Sequence, residues 1–308
     1  MLRGKRLVVT GGAGFVGSHL VERLAGRNEV VVLDDFSSGS LQNLAHVPAR
    51  VEVVRGSILD GRAVRKAFAD ADVVFHLAAL TSVPESLKDP LRYAEANVMG
   101  TLNVLTSAGE AGADRVVFAS TCAIYGRATG PLHEDLPPDP VSPYAVTKLA
   151  CEHFCRSLSG GGTAAVALRL FNVYGPRQSS GSSYAGVVAR FVRAARDGKS
   201  LTLYGDGRQT RDFVYAADVA EAFERAATVR GAAGGVFNVG SGTKTSILDL
   251  IGALEAAVGH DLKVLKEPAR AGDIRRSRAD TANSRKALGW EATTPLREGL
   301  RRILETGP

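Results

Sequence analysis

Two groups of residues in this 308-residue chain have types and spacings that could do chemistry. Of its seven tyrosines, Tyr144 alone has a lysine four residues later, Lys148. Ser142 is a good N-cap and Pro143 suits a first helical turn, so the spacing predicts a helix with phenol and ammonium on one face. A phenol that titrates near ~10 is a poor base at neutral pH. A neighbouring ammonium would bring it down toward the working range. Taken alone, the pair reads rather as a surface tyrosine and a solvated lysine. What precedes it in the chain changes that reading.

The second group follows an apolar run at residues 7–9 and reads Thr10-Gly11-Gly12-Ala13-Gly14-Phe15-Val16-Gly17-Ser18-His19-Leu20. Glycines 11, 14 and 17 fit one dinucleotide fingerprint, and 12, 14 and 17 fit G-x-G-x-x-G. In either form, a turn without Cβ atoms lets the backbone approach a pyrophosphate, which then faces the N–H groups of the helix that follows. Asp34, followed by Asp35, ends the next strand. A carboxylate there accepts hydrogen bonds from the adenosine ribose hydroxyls and repels a 2′-phosphate, which selects NAD over NADP. An ordinary turn acid would look the same, but the glycines ahead of it favour the ribose role.

Short β-rich runs at 7–9, 30–34, 51–54, 73–77, 116–119 and 165–170 alternate with helical patterns such as 14–24. The runs are almost continuously apolar, as strands covered on both faces must be. This order predicts a doubly wound α/β sheet that binds ligand beyond the carboxyl ends of its strands. The strand ending in Ser120-Thr121 is expected to deliver hydroxyls into that crevice. After about residue 175 the pattern changes, with helices at Val187–Arg196 and Ile247–Val258 among isolated strands. We therefore expect a cofactor domain over 1–175, with parts of about 208–240 returning to it, and a substrate domain over 176–308.

Composition narrows the partners. Hydrophobic residues make up 45% and charged residues 23%, as in an ordinary globular protein. The formal charge is +6, yet 38 basic residues against 32 acidic ones form no long basic run, so no nucleic-acid surface is expected. Arg275, Arg276 and Arg278 read as a solvated face. Cys151 and Cys155, one helical turn apart, have no second ligand cluster and read as small core residues, so no metal is expected. Nowhere do eighteen apolar residues run together, and the N-terminal apolar stretch is too short for a signal peptide. A soluble, cytoplasmic protein with no membrane partner is the expectation.

Together these features resemble the extended short-chain dehydrogenase/reductase family, and most closely its UDP-hexose 4-epimerases. The resemblance extends over nearly the whole chain. It is carried by the glycine loop, Asp34, His76-Leu77-Ala78-Ala79, Asn97, Ser120-Thr121, Tyr144 with Lys148, and Arg169-Leu170-Phe171-Asn172-Val173-Tyr174-Gly175-Pro176. Tyr204-Gly205-Asp206-Gly207, Arg211-Asp212-Phe213 and Arg270-Ala271-Gly272-Asp273 continue it. It implies a Rossmann domain with a smaller C-terminal α/β domain, resident NAD, a UDP-sugar substrate and a homodimer. Tyr144 would take the proton of the sugar 4-hydroxyl, Thr121 would hydrogen-bond that hydroxyl, and Lys148 would orient the nicotinamide ribose.

By the same resemblance Gly11, Gly14, Phe15, Val16 and Gly17 cradle the pyrophosphate, while Asp34, Asp35, Ser37 and Gly39 surround the adenosine ribose. Ser57 and Ile58 lie at the adenine, and Leu77, Ala78, Ala79, Thr81 and Asn97 line the cofactor. Asn172, Val187 and Tyr204 fall on the nucleotide of the substrate, Arg211 and Arg270 on its phosphates, and Asp273 on the uridine ribose. Ser277 borders the sugar 2-substituent, where a small residue leaves room for an N-acetyl group. Two departures are visible: family members often carry Asp at Ser57, and some epimerases carry Lys at Thr81. Dehydratases place Asp-Glu directly after the catalytic Thr, and decarboxylases keep a Glu before the hydrophobic-Tyr-Gly. Here Cys122 and Ala123 stand there, which argues against a lyase. UDP-glucuronate 4-epimerisation remains an alternative, and a non-catalytic NAD-binding regulator is disfavoured by the intact Tyr144 and Lys148.

Overall fold

The computed structural model describes residues 1–48, 50–159, 162–179, 186–269 and 274–306. Its seven-stranded sheet comprises β1 (Arg6–Thr10), β2 (Glu29–Asp34), β3 (Glu52–Arg55), β4 (Val73–His76), β5 (Arg115–Thr121), β6 (Ala164–Leu170) and β7 (Val236–Val239). They lie in the order β7-β6-β5-β4-β1-β2-β3, every neighbouring pair parallel. The order reverses at β1, whose partners are β2 on one side and β4 on the other. That is the switch point at which a doubly wound sheet opens a crevice.

Alternate residues of each strand feed different cores, which is why the runs are apolar throughout. Leu7, Val9, Val30, Val32, Phe75 and Val117 pack under α1 (Phe15–Ala25) and, from later in the chain, Ala216–Thr228. Val8, Val31, Leu33, Val74, Val116 and Phe118 pack on the other face under α2 (Gly61–Phe68), α3 (Gly100–Glu110) and α4 (Pro143–Leu158). Full burial of each such side chain contributes roughly 1.5–3 kcal/mol before the ordering entropy is counted. Cys151 and Cys155 lie in this second core.

The helix α4 starts where the residues ahead of it say it should. The Ser142 hydroxyl accepts the Ala145 N–H at 3.2 Å, with Pro143 in the first turn. A π-helical segment, Ala94–Met99, leads into α3. A separate core gathers α5 (Val187–Arg196), α6 (Ala216–Thr228) at its margin, α7 (Ile247–Val258) and α8 (Leu296–Glu305) around the strands Leu201–Tyr204 and Phe213–Tyr215. The chain crosses back more than once. β7 closes the sheet edge beside β6, and the buried Leu288 and Trp290 pack into the core beneath α1, with Trp290 Nε1 donating to the Asp218 carbonyl at 2.9 Å. No local pattern in the sequence marks that last return.

Two glycines of α1 and its end make a sharp comparison. A Cβ on Gly17 would lie 2.1 Å from the Gly11 carbonyl oxygen, whereas one on Gly26 would meet nothing within 4 Å. Gly17→Ala should lower unfolding stability by about 1–3 kcal/mol through overpacking. Gly26→Ala, at a right-handed φ of −63°, should raise it by about 0.4–1 kcal/mol by restricting the unfolded chain. Urea unfolding of both variants tests the contrast, and equal stabilities would contradict it.

Candidate active site

The turns that leave β1 and β4 touch at the switch point. Gly11 has φ +69°, and a Cβ there would sit 2.7 Å from the Ala78 backbone nitrogen. Gly12 is pressed on Val32 in the same way, at 2.9 Å, so both glycine registers have a steric reason. The helix α1 begins at Phe15, and its N-cap, Gly14, supplies no side-chain hydrogen bond. Its first-turn N–H groups, at Phe15, Val16 and Gly17, are therefore not capped by a side chain.

Asp34 lies beside this turn, buried. Its Oδ2 accepts the Ala13 N–H at 2.9 Å and its Oδ1 the Phe36 N–H at 2.8 Å. Burial raises its pKa, and the two amides pull the other way. Gly39 closes against it, since a Cβ there would be 3.0 Å from Asp34 Oδ1. Asp35 and Ser37 are exposed and share a turn, with the Ser37 N–H donating to Asp35 Oδ1 at 2.8 Å. Ser57 is half-buried, and its hydroxyl accepts the Leu59 N–H at 3.2 Å. The Ile58 side chain is buried in the core against Gly100.

Leu77, Ala78 and Ala79 are half-buried and Thr81 is exposed. Asn97, buried in the π-helical segment, fixes this loop to α4. Its Oδ1 accepts the Leu80 N–H at 2.8 Å, and its Nδ2 donates to the Leu80 carbonyl and to Thr147 Oγ1, both at 3.0 Å. Below it runs a chain of bonds whose direction the geometry fixes. Thr101 Oγ1 lies 2.5 Å from the Asn97 carbonyl and donates its one proton there. It must therefore accept from His76 Nε2, at 2.9 Å, which leaves Nδ1 to accept the Thr10 hydroxyl at 2.8 Å. Burial, with the Lys148 charge, lowers the His76 pKa to about 3, in keeping with this neutral tautomer.

At the end of β5, the Thr121 hydroxyl accepts the Ala123 N–H at 3.1 Å and lies beside the phenol of Tyr144. Burial pushes Tyr144 up to about 12, with the Thr121 hydroxyl acting against it. Lys148 Nζ donates to the Ala119 carbonyl at 2.9 Å and sits 4.6 Å from the Phe118 ring centroid, and burial lowers it to about 8. The expected lowering of the phenol by Lys148 is not found: burial sets the direction of the shift, and the ammonium is engaged with the Ala119 carbonyl. Ser120 corrects a second expectation. Its hydroxyl donates to Glu152 on α4 at 2.5 Å and does not join Thr121 in the crevice.

On the opposite wall, Asn172 donates from both its backbone N–H and Nδ2 to the Asp212 carbonyl, at 3.0 and 3.2 Å. Asp212 itself is buried and accepts from Ser241, Gly242 and Ala279 at 2.6–3.0 Å. Arg211 Nη1 donates to the carbonyls of Thr210 at 2.9 Å and Ile274 at 2.5 Å. Ser277 is buried and hydrogen-bonds Cys122, the residue after Thr121. Val187 opens α5 and packs on the third core, and Tyr204 ends its strand half-buried. Arg270 and Asp273 lie outside the described residues. Glu152 and the role of Arg169 were missed from sequence, although Glu152 continues the spacing of Tyr144 and Lys148 by one more turn. Among the described residues no cluster of metal-ligating side chains is present and no helix is long and apolar enough to cross a membrane.

The model of the NAD-dependent epimerase/dehydratase family matches residues 7–240. The chain belongs to that family. A UDP-glucose 4-epimerase from Mycolicibacterium smegmatis is 42% identical to it, with 97% of each chain aligned. Among solved structures, a UDP-N-acetylglucosamine 4-epimerase from Methanobrevibacter ruminantium, in complex with UDP-N-acetylmuramic acid, superposes with TM-score 0.95. It is 36% identical and covers 99% of this chain and 98% of its own. A UDP-glucose 4-epimerase from Thermus thermophilus in complex with NAD gives TM-score 0.88 at 38% identity, covering 97% and 98%.

The buried histidines of this family member set an acid limit. His76 falls to about 3 through burial and Lys148, and His19 to about 4 through burial and Arg177. Both folded values lie below the unfolded value near ~6.5. The stability they contribute is therefore full above pH ~6.5 and lost as pH falls toward ~4, at up to about 1.4 kcal/mol per pH unit for each. Urea unfolding between pH 7.5 and 5 should show the decline, and His76→Gln should flatten it. A pH-independent wild-type midpoint would contradict the assignment.

Proposed function

We propose that this chain is an NAD-dependent UDP-sugar 4-epimerase that interconverts UDP-glucose with UDP-galactose and also accepts the N-acetyl sugars. The observation that carries the reading is the buried Tyr144 beside the Thr121 side chain at the end of β5, with Cys122 and Ala123 next to it in place of carboxylates. The glycine turn fits a dinucleotide. Side chains at Gly11 or Gly17 would collide with backbone, the N-terminus of α1 has no side-chain cap, and Asp34 stands where a ribose would end. When bound, NAD supplies the acceptor for a hydride from C4 of the sugar and the donor for its return.

The chain's own residues then have separable tasks. Thr121 accepts from Ala123, so its proton is free to bond an oxygen at the phenol. In its ionised form, which a bound positive nicotinamide ring would favour over the neutral phenol, Tyr144 would take the proton of the 4-hydroxyl and give it back to the opposite alcohol. Lys148, with its pKa near about 8 through burial, exchanges protons close to neutrality and holds the nicotinamide ribose. Asp34, Asp35, Ser37 and Gly39 receive the adenosine ribose, the Ser57–Ile58 backbone the adenine, and Leu77 through Thr81 with Asn97 the remainder of the cofactor. Asn172, Val187, Tyr204 and Asp273 hold the uridine side, with Arg211 and Arg270 on the diphosphate, since a guanidinium fork matches phosphate oxygens. Elimination at C5 and C6 would require an acid and a base after Thr121, and neither Cys122 nor Ala123 supplies them.

We further place the protein in the cytoplasm as a homodimer. The exposed Leu87, Leu91, Met99 and Val146, on segments packed against one another around α4, are the apolar surface on which a second copy would sit.

Product analysis with UDP-glucose and UDP-N-acetylglucosamine tests the activity directly. Tyr144→Phe should retain NAD and lose about two to four orders of magnitude in kcat, and near-normal turnover would remove the proposed base. Ser277 tests sugar choice. Its nearness to Cys122, the residue after Thr121, supports a place for it at the sugar, and a ring there should cost the N-acetyl sugars about one to two orders of magnitude in affinity. Ser277→Tyr should therefore suppress UDP-N-acetylglucosamine turnover while UDP-glucose epimerisation survives. Equal loss on both substrates would exclude Ser277 as the residue that sets the choice.

A further inference from the structure

The face of α4 that carries Tyr144 and Lys148 carries a third ionisable side chain one turn on, Glu152, and it too is buried. Its Oε1 accepts the Ser120 hydroxyl at 2.5 Å and Arg169 Nε at 3.0 Å, and its Oε2 accepts Arg169 Nη2 at 2.8 Å. Ser120 and Arg169 are register partners on β5 and β6. One carboxylate therefore ties α4 to two strands, at the residue immediately before Thr121.

Arg169 is itself fixed. Its guanidinium carbon lies 4.9 Å from the centroid of the Tyr125 ring, and its Nη1 donates to the Glu134 carbonyl at 3.3 Å. The Tyr125 hydroxyl donates to Asn238 Oδ1 on β7 at 2.7 Å. Glu152 and Arg169 border a groove between α4 and β7, with Ala165, Ala167 and Val236, to which neither Thr121 nor Tyr144 contributes. They therefore act on the crevice from behind it.

A buried ion pair adds little net stability over apolar residues of the same shape, so stability is a poor reason for this one. What it does supply is direction, because charge-assisted bonds are short and geometrically demanding. Catalysis is sensitive to that, since a displacement of ~1 Å can cost on the order of a hundredfold in rate. We propose that Ser120, Glu152 and Arg169 are positioning residues, a clamp that holds the end of β5 on α4 so that the Thr121 hydroxyl meets the Tyr144 phenol. The clamp rests on the 4-epimerase reading, which makes those two hydroxyls the reacting pair.

The holoenzyme tests it with UDP-glucose. Ser120→Ala removes the bond from the strand and leaves the Glu152–Arg169 pair in place. It should lower kcat about tenfold and leave KM within about twofold, since the loss falls on the reacting geometry and not on binding. Introduced into Thr121→Val, the same change should give little further loss, because the clamp works through Thr121. Glu152→Gln keeps an acceptor for Ser120 and removes the charge facing Arg169. It should show the same fall in kcat at constant KM, and it provides the measurement if Ser120→Ala does not fold. Wild-type kcat in the variants, a rise in KM alone, or losses that multiply in the double variant would overturn the clamp and leave the epimerase reading intact. Absence of turnover in the unmodified enzyme would overturn that reading itself.

Discussion

Three ionisable side chains, spaced at fours along one face of α4, are pressed against a sheet that excludes water from all of them. Burial favours the neutral forms of Tyr144 and Lys148, which is why the phenol rises to about 12 and the ammonium falls to about 8. Each must then find its partner in the protein, and the partners lie on β5 and β6: Thr121 for Tyr144, the Ala119 carbonyl for Lys148, Ser120 and Arg169 for Glu152. An unpartnered group at any of these places would carry the full desolvation cost. The requirement to satisfy all three together therefore sets how α4 sits on the sheet, and with it where the Thr121 and Tyr144 hydroxyls lie.

The other half of the crevice depends on backbone contact. Because the turn after β1 runs against Ala78, no side chain can stand between the glycine turn and the loop that ends β4. That loop is held by Asn97 to α4 and by Thr10 to β1, whose hydroxyl also accepts the Ala78 N–H at 3.3 Å. The line from Thr10 through His76 and Thr101 to Asn97 thus joins the cofactor side of the fold to the catalytic helix by oriented bonds. Each member has its proton assigned by its neighbour, so the line admits one arrangement.

What was legible in the sequence was what local physics controls. Strand runs, the Ser142 cap, the extents of Val187–Arg196 and Ile247–Val258, and the glycine turn all follow from short-range sterics and periodicity. Less legible was anything decided by which distant element covers a residue. Ser120 and Thr121 are adjacent and chemically alike, yet the pleat sends one hydroxyl to Glu152 while the other meets Tyr144 at the strand end. Ile58 goes into the core because Gly100 leaves space for it, and Trp290 returns to the first core from far along the chain. The pKa of Tyr144 moved opposite to the simple charge argument for the same reason: a spacing of four gives the neighbour but not the burial.

The residues that follow Thr121 show how a site can be restricted by what it lacks. Burial pushes the Cys122 thiol up to about 12, so beside the reacting pair it stays protonated and is a feeble base. Ala123 offers only its backbone N–H, and that is already given to Thr121. Ser277, arriving from the far end of the chain, bonds Cys122 with a hydroxyl that neither acquires nor loses charge near neutrality. Among these neighbours no group can pull a proton from the carbon next to C4 or protonate an oxygen leaving C6. Under the 4-epimerase reading, a sugar oxidised at C4 beside these neighbours would find in them neither acid nor base for elimination, and reduction at the same carbon would be the course left to it.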